Sequence, residues 1–124
     1  MKFFINRTTK EIIEVVLGND TAFTSEGSEM VELKANSTDA AGEKHVPVIT
    51  VDGNKVHVVV GSVLHPMTEE HSIQFIALET KQGVQRKALL PTDQPIADFV
   101  LAEGDEVVAA YEYCNLHGLW KAEA

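Results

Sequence analysis

The chain has 124 residues, with ten basic and nineteen acidic side chains and a formal net charge of −9. That length fits one compact domain, or one domain with a short appendage, and an apolar fraction of 44% is enough for a real core. The acidic balance argues against nucleic acid or an anionic membrane surface as a partner, because both need a basic footprint. A small anionic substrate would likewise meet a repulsive background, so any anion chemistry has to rest on a local positive charge.

In chain order, the first apolar run, Phe3-Phe4-Ile5, is too short for a secretory signal, and no later stretch reaches membrane-spanning length. With a single cysteine and hence no internal disulfide, the expected compartment is a reducing cytoplasm. Ile12, Ile13, Val15, Val16 and Leu17 form a short apolar stretch that ends at Gly18-Asn19-Asp20. A polar, turn-rich segment follows through Ser25-Glu26-Gly27-Ser28 to Asn36-Ser37-Thr38-Asp39. Residues 1–38 therefore read as a small β-rich lobe that could hardly stand alone. Residues 39–124 read as strands. Val46 to Val51 and Val56 to Val60 flank Asp52-Gly53-Asn54, a turn suited to positive φ, and predict a hairpin. Further strands are expected over His71 to Glu79, Gln85 to Leu90, Phe99 to Leu101 and Val107 to Tyr113, with no convincing helix. Short strands at regular spacing predict an all-β fold, an antiparallel sandwich of immunoglobulin-like type.

The chemistry lies in five histidines and one cysteine. His45 sits in Glu43-Lys44-His45-Val46-Pro47, His65 and His71 bracket a proline-containing loop, and Cys114 and His117 form a Cys-x-x-His turn. Each context alone has an ordinary reading: a buried thiol packs as a small hydrophobe, and loop histidines are usually solvated. Together they lie at strand ends and loops, where a sandwich gathers side chains at one rim. His57, between Val56 and Val58, reads as a strand residue facing solvent. Four imidazoles and one thiolate exceed the four ligands of a closed structural zinc site, and suit iron with one position open. Blue copper uses two histidines, a cysteine and an axial methionine, but no methionine follows His117. A non-catalytic iron or copper electron-transfer module is the competing reading.

At these residues the chain resembles the superoxide reductase (desulfoferrodoxin) family. The resemblance is carried by Glu43-Lys44-His45-Val46-Pro47, Gly61-Ser62-Val63-Leu64-His65-Pro66-Met67, His71 and Tyr113-Cys114-Asn115-Leu116-His117-Gly118. It implies one iron ion per chain, with His45, His65, His71 and His117 equatorial, Cys114 axial, and the sixth position open to superoxide. It also implies that Lys44 attracts the anion and that Glu43 can reach the sixth position in the ferric state. The product would be hydrogen peroxide, and the electron would come from an external donor, commonly a rubredoxin. Relatives with two irons carry a Cys-x-x-Cys and a Cys-Cys pair in the lobe. Here the matching positions are Asn6 and Thr9, and then Ser25 and Glu26, none of which offers a thiolate. The chain therefore resembles the subgroup whose lobe has lost its iron, with the lobe structural and a possible aid to forming a homodimer.

Overall fold

The computed structural model describes residues 1–18, 22–25 and 27–124. It divides into two compact units, Met1–Lys34 and Ala35–Ala124. The turn expected at Asn19 and Asp20, and the position of Glu26, lie outside the described residues.

In the first unit β1 (Phe3–Ile5) is the middle strand of three, paired antiparallel with β2 (Ile12–Glu14) and β5 (Val31–Leu33). A short hairpin pairs β3 (Thr24–Ser25) with β4 (Ser28–Glu29). The run Phe3-Phe4-Ile5 is buried throughout, and Phe23 meets the Phe4 ring edge-on at 4.9 Å. The apolar stretch 12–17 forms a strand only as far as Glu14. Beyond the Phe3–Glu14 pair the Val15 amide still donates to the Lys2 carbonyl at 2.9 Å, and Val16 and Leu17 then remain 87% and 95% exposed.

The second unit opens with a single helical turn, α1 (Gly42–His45), followed by seven strands. These are β6 (Pro47–Asp52), β7 (Lys55–Val60), β8 (Ile73–Thr80), β9 (Val84–Ala88), β10 (Ile96–Val100), β11 (Val107–Cys114) and β12 (Gly118–Glu123). They form two antiparallel sheets, in the orders β10-β7-β6 and β12-β11-β8-β9. The expected all-β sandwich is observed, with 48% of the described residues in strands and 3% in helix. Relative to a constant-type immunoglobulin domain, the fourth strand has changed sheets: β9 pairs with β8 instead of β10.

Strand β7 shows why the layers close. Lys55 and His57 face out, while Val56, Val58 and Val60 are fully buried, each contributing about 1.5–3 kcal/mol by leaving water. They meet Ile76, Leu78 and Ala110 of the facing sheet, with Ala97 and Phe99 of β10 beside them. The predicted hairpin turn is two residues long, with Gly53 at φ +60°. Two elements depart from expectation. The strand series does not end at Tyr113, because β12 follows; its glycine and two charged residues hide the apolar alternation on an edge strand. The region before His65 is not wholly strand and loop, since α1 spans four residues, too few to display a helical period.

In the first unit a polar knot gathers around Asn6, Thr9 and Ser25. Asn6 is fully buried. Its Oδ1 accepts from the amides of Thr8 and Thr9 at 2.9 and 3.1 Å, and its Nδ2 donates to the Ser25 carbonyl at 3.1 Å. Ser25 Oγ donates to Glu11 Oε1 at 2.5 Å, and the Glu11 carbonyl accepts from the Asn6 amide. One side chain thus ties the loop after β1 to β3. Replacing Asn6 by alanine leaves these backbone groups without partners, at about 1–3 kcal/mol for each that is buried. Hydrogen exchange should then quicken at Phe4, Ile5 and Leu33 and stay unchanged at Ile76 and Leu78.

Candidate metal centre

Each of the five candidate side chains reaches the centre from a different local device. His45 ends α1, a turn closed by the Val46 amide donating to the Gly42 carbonyl at 2.8 Å. Its Nδ1–H donates to the Ala41 carbonyl at 2.8 Å, which fixes the tautomer and turns the Nε2 lone pair inward. His65 follows β7 and does the same with the Pro66 carbonyl at 2.6 Å. His71 lies at the end of a loop tightened by Thr68, whose Oγ1 accepts from the His71 amide at 3.0 Å. Its Nε2 is buried with no partner. Cys114 ends β11, and His117 precedes the start of β12, where Gly118 takes φ +81°.

The four imidazoles form a closed ring of near-perpendicular neighbours. Centroid distances are 4.8 Å for His45 and His65, 4.6 Å for His65 and His71, 5.2 Å for His71 and His117, and 4.9 Å for His117 and His45. Ligand atoms of His45, His65, His71 and Cys114 all lie within 4.8 Å of one another. His117 Nδ1 completes the set, 3.1 Å from His45 Nε2 and 3.9 Å from Cys114 Sγ. The sulfur is buried, 3.6 Å from His65 Nε2. On the other side a cavity of about 340 Å³ opens to solvent, lined by the four histidines and Lys44 but not by Cys114. Glu43 is exposed on the same turn, outside that lining. His57 faces solvent on β7 with its Nδ1 2.6 Å from Asp98 Oδ1, and takes no part.

The electrostatics favour a cation. Burial lowers the pKa of His45 and His71 and pulls His65 down to about 4, so these rings are neutral at physiological pH and their lone pairs are free to donate. Burial pushes the Cys114 thiol up, and the Leu116 and His117 amides that hydrogen-bond the sulfur pull the other way. Lone pairs converging on one point at these separations repel unless something positive sits between them. An orphaned inward nitrogen, fixed tautomers and one sulfur fit a borderline metal that accepts imidazole and thiolate together.

Two supports were not legible in the motifs. Asn115 ties the Cys114 turn to the His71 loop: its Oδ1 accepts from the Ser72 amide at 3.0 Å and its Nδ2 donates to the Glu70 carbonyl at 2.9 Å. Gly61 lets the chain pass under α1, because a Cβ there would lie 2.6 Å from the Glu43 carbonyl oxygen. That carbonyl also accepts from the Val63 amide and Ser62 Oγ.

A family model described as desulfoferrodoxin matches residues 37–123, which contain the whole constellation. The chain belongs to the desulfoferrodoxin family. The desulfoferrodoxin of Clostridium acetobutylicum is 41% identical over 123 residues, covering 99% of this chain and 96% of that protein. The desulfoferrodoxin of Nitratidesulfovibrio vulgaris is 46% identical over 113 residues, covering 91% and 88%. Among solved structures, the superoxide reductase from Treponema pallidum superposes with a TM-score of 0.85 at 37% identity, over 98% of both chains.

Two expectations follow from this arrangement. Gly61→Ala forces α1 and His45 outward, and should weaken metal binding by about 10-fold or more, the scale seen when ligand supports are lost. Chelator competition reads this, and an unchanged affinity would mean that α1 yields without moving the ring. The second concerns Glu112, which lies fully buried two residues before Cys114 with both oxygens unpartnered. Burial raises its carboxyl from 4.5 to about 9, so the folded chain holds a proton that the unfolded chain has released. The stability that this protonated form carries at acid pH is lost as pH rises toward 9. Glu112→Gln should flatten that decline in melts of the metal-free protein, whereas an equal decline in both proteins would place the titration elsewhere.

Proposed function

We propose that the chain is a superoxide reductase, carrying one electron and two protons to superoxide to give hydrogen peroxide at a single iron. The observation that carries this reading is the two-sided centre: four inward imidazole nitrogens in a ring, a buried sulfur behind them, and an open cavity in front. His45, His65, His71, His117 and Cys114 would together hold the metal, one iron ion per chain. A bound ferrous ion would supply the electron and the charge needed by an anionic substrate.

The chain's own groups supply the rest. Lys44 lines the cavity and places an ammonium where an anion enters a protein of net charge −9, which supports a steering role. The cavity admits water, so protons for the product can arrive from solvent. The carbonyls of Ala41 and Pro66 hold two of the rings in register, and the buried Cys114 sulfur would serve the metal as a thiolate ligand. Glu43 is the candidate to reach the open position in the oxidised state. Its exposed place on α1, next to Lys44, supports that role.

The chain has one cysteine and its described residues hold one His/Cys cluster, so the electron comes from an external donor of rubredoxin type. The free thiol supports a cytoplasmic setting, and among the described residues no helix is long and apolar enough to cross a membrane. The exposed pair Val16 and Leu17 supports pairing into a homodimer through the lobe. An electron-transfer module without catalysis is the other reading. It would need a saturated centre, whereas here a cavity reaches the ring face.

The test is pulse radiolysis of the reduced, iron-loaded protein. One peroxide should form per iron oxidised, and turnover should stop when the donor is withheld. Oxygen release without a donor would indicate disproportionation, and no reaction would leave the electron-transfer reading. Lys44→Ala should lower the second-order rate with superoxide by about 10-fold and weaken its dependence on ionic strength. An unaltered rate would remove Lys44 from steering.

A further inference from the structure

We propose that Trp120 is a positioning residue for the metal centre, one indole fixing the His45 ring by stacking and the His117 backbone by a hydrogen bond. The proposal rests on reading the five side chains as a metal site. Trp120 lies on β12, opposite Glu112 of β11, and is 5% exposed. Its ring stacks on His45 with centroids 5.0 Å apart and planes at 27°. Its Nε1–H donates to the His117 carbonyl at 3.1 Å. These two ligand residues are 72 positions apart in sequence, and this one side chain touches both.

Each of them needs an outside support. His45 sits on a single helical turn with no side-chain cap at its N-terminus, and so short a helix has little stability of its own. The Ala41 carbonyl fixes Nδ1 but leaves the ring free to tilt about that bond, and the indole face closes one side of the tilt. His117 lies in the turn between β11 and β12, where its amide meets the Cys114 sulfur and its carbonyl takes the indole N–H.

The indole is itself held. Asn36, at φ +59°, brackets Trp120 along the free edge of β12. Its backbone amide donates to the Leu119 carbonyl at 3.0 Å, its Oδ1 accepts from the Lys121 amide at 2.8 Å, and its Nδ2 donates to the Lys121 carbonyl at 3.1 Å. A buried indole N–H takes an acceptor in any core; what sets this one apart is that its acceptor and its stacked partner both belong to the ligand set.

Two variants separate the contacts. Trp120→Phe keeps a flat ring for His45 and loses the donor, and Trp120→Leu loses both. Co²⁺ and iron binding are read by chelator competition, together with the visible bands of the Co²⁺ form and the resonance spectrum of the ferric form. Trp120→Leu should lower Co²⁺ affinity by about 10–100-fold, as loss of a ligand's support does, with Trp120→Phe between it and the parent. Both should shift the spectra. Phe99→Leu, in the core of the same unit, is the control: it should lower the melting temperature and leave spectra and affinity alone.

If both tryptophan variants behave like that control, Trp120 is packing only and the proposal is overturned. Should Trp120→Leu fail to fold by circular dichroism, Trp120→Phe decides: unchanged affinity and spectra overturn the proposal. A parent protein that takes up neither Co²⁺ nor iron would instead overturn the metal-site reading, and this proposal with it. None of these readouts depends on reaction with superoxide.

Discussion

Convergence of lone pairs is the constraint on which the rest of this structure depends. Neutral imidazole nitrogens and a thiol gather at the end of a sandwich, within a few ångströms of one another and largely out of water. Such a cluster is unfavourable as folded polypeptide, since buried acceptors without donors lose their hydration and gain nothing in return. The chain accepts this because every ring is held from outside the cluster. Ala41 and Pro66 take the outward protons of His45 and His65, and Thr68 tightens the turn that delivers His71. The tautomers follow from these partners: Nε2 faces in from His45 and His65, while His117 turns its Nδ1 inward.

Burial and charge divide along the same axis. Behind the rings the sulfur and Glu112 lie in an apolar layer that keeps both groups protonated more readily than water would. In front, the cavity is wet and carries Lys44. A metal at the ring would therefore meet a low-dielectric side that strengthens its interaction with thiolate and a high-dielectric side where a substrate can exchange. The sandwich supplies this asymmetry cheaply, because its strand ends mark the boundary between core and solvent.

What sequence made legible follows the range of the interaction. The alternation in β7 is local, so the outward place of His57 and the inward valines could be read from neighbours two apart. The His45, His65, His71, Cys114 and His117 set could be read because each residue carries its own turn context. Helix α1 was missed because four residues contain no period, and β12 because Gly118, Lys121 and Glu123 break its apolar pattern. Asn115, Trp120 and Gly61 were less legible for a different reason. Asn115 is bonded to residues 70 and 72, Trp120 is stacked on residue 45, and Gly61 passes under residue 43. No local pattern records which distant segment a side chain will meet.

The lobe gives the complementary case. At Asn6 a short amide side chain accepts from two amides ahead of it and donates to Ser25, satisfying backbone groups and closing the loop after β1. Hydrogen bonds suffice there because the requirement is to close a loop, and an Asx-type turn does that with one residue. They do less at the sandwich rim, where most inward atoms are acceptors and His71 Nε2 has no partner. A cluster made mostly of acceptors would be completed by a cation, and in this chain that cluster is the ring of four histidines beside Cys114.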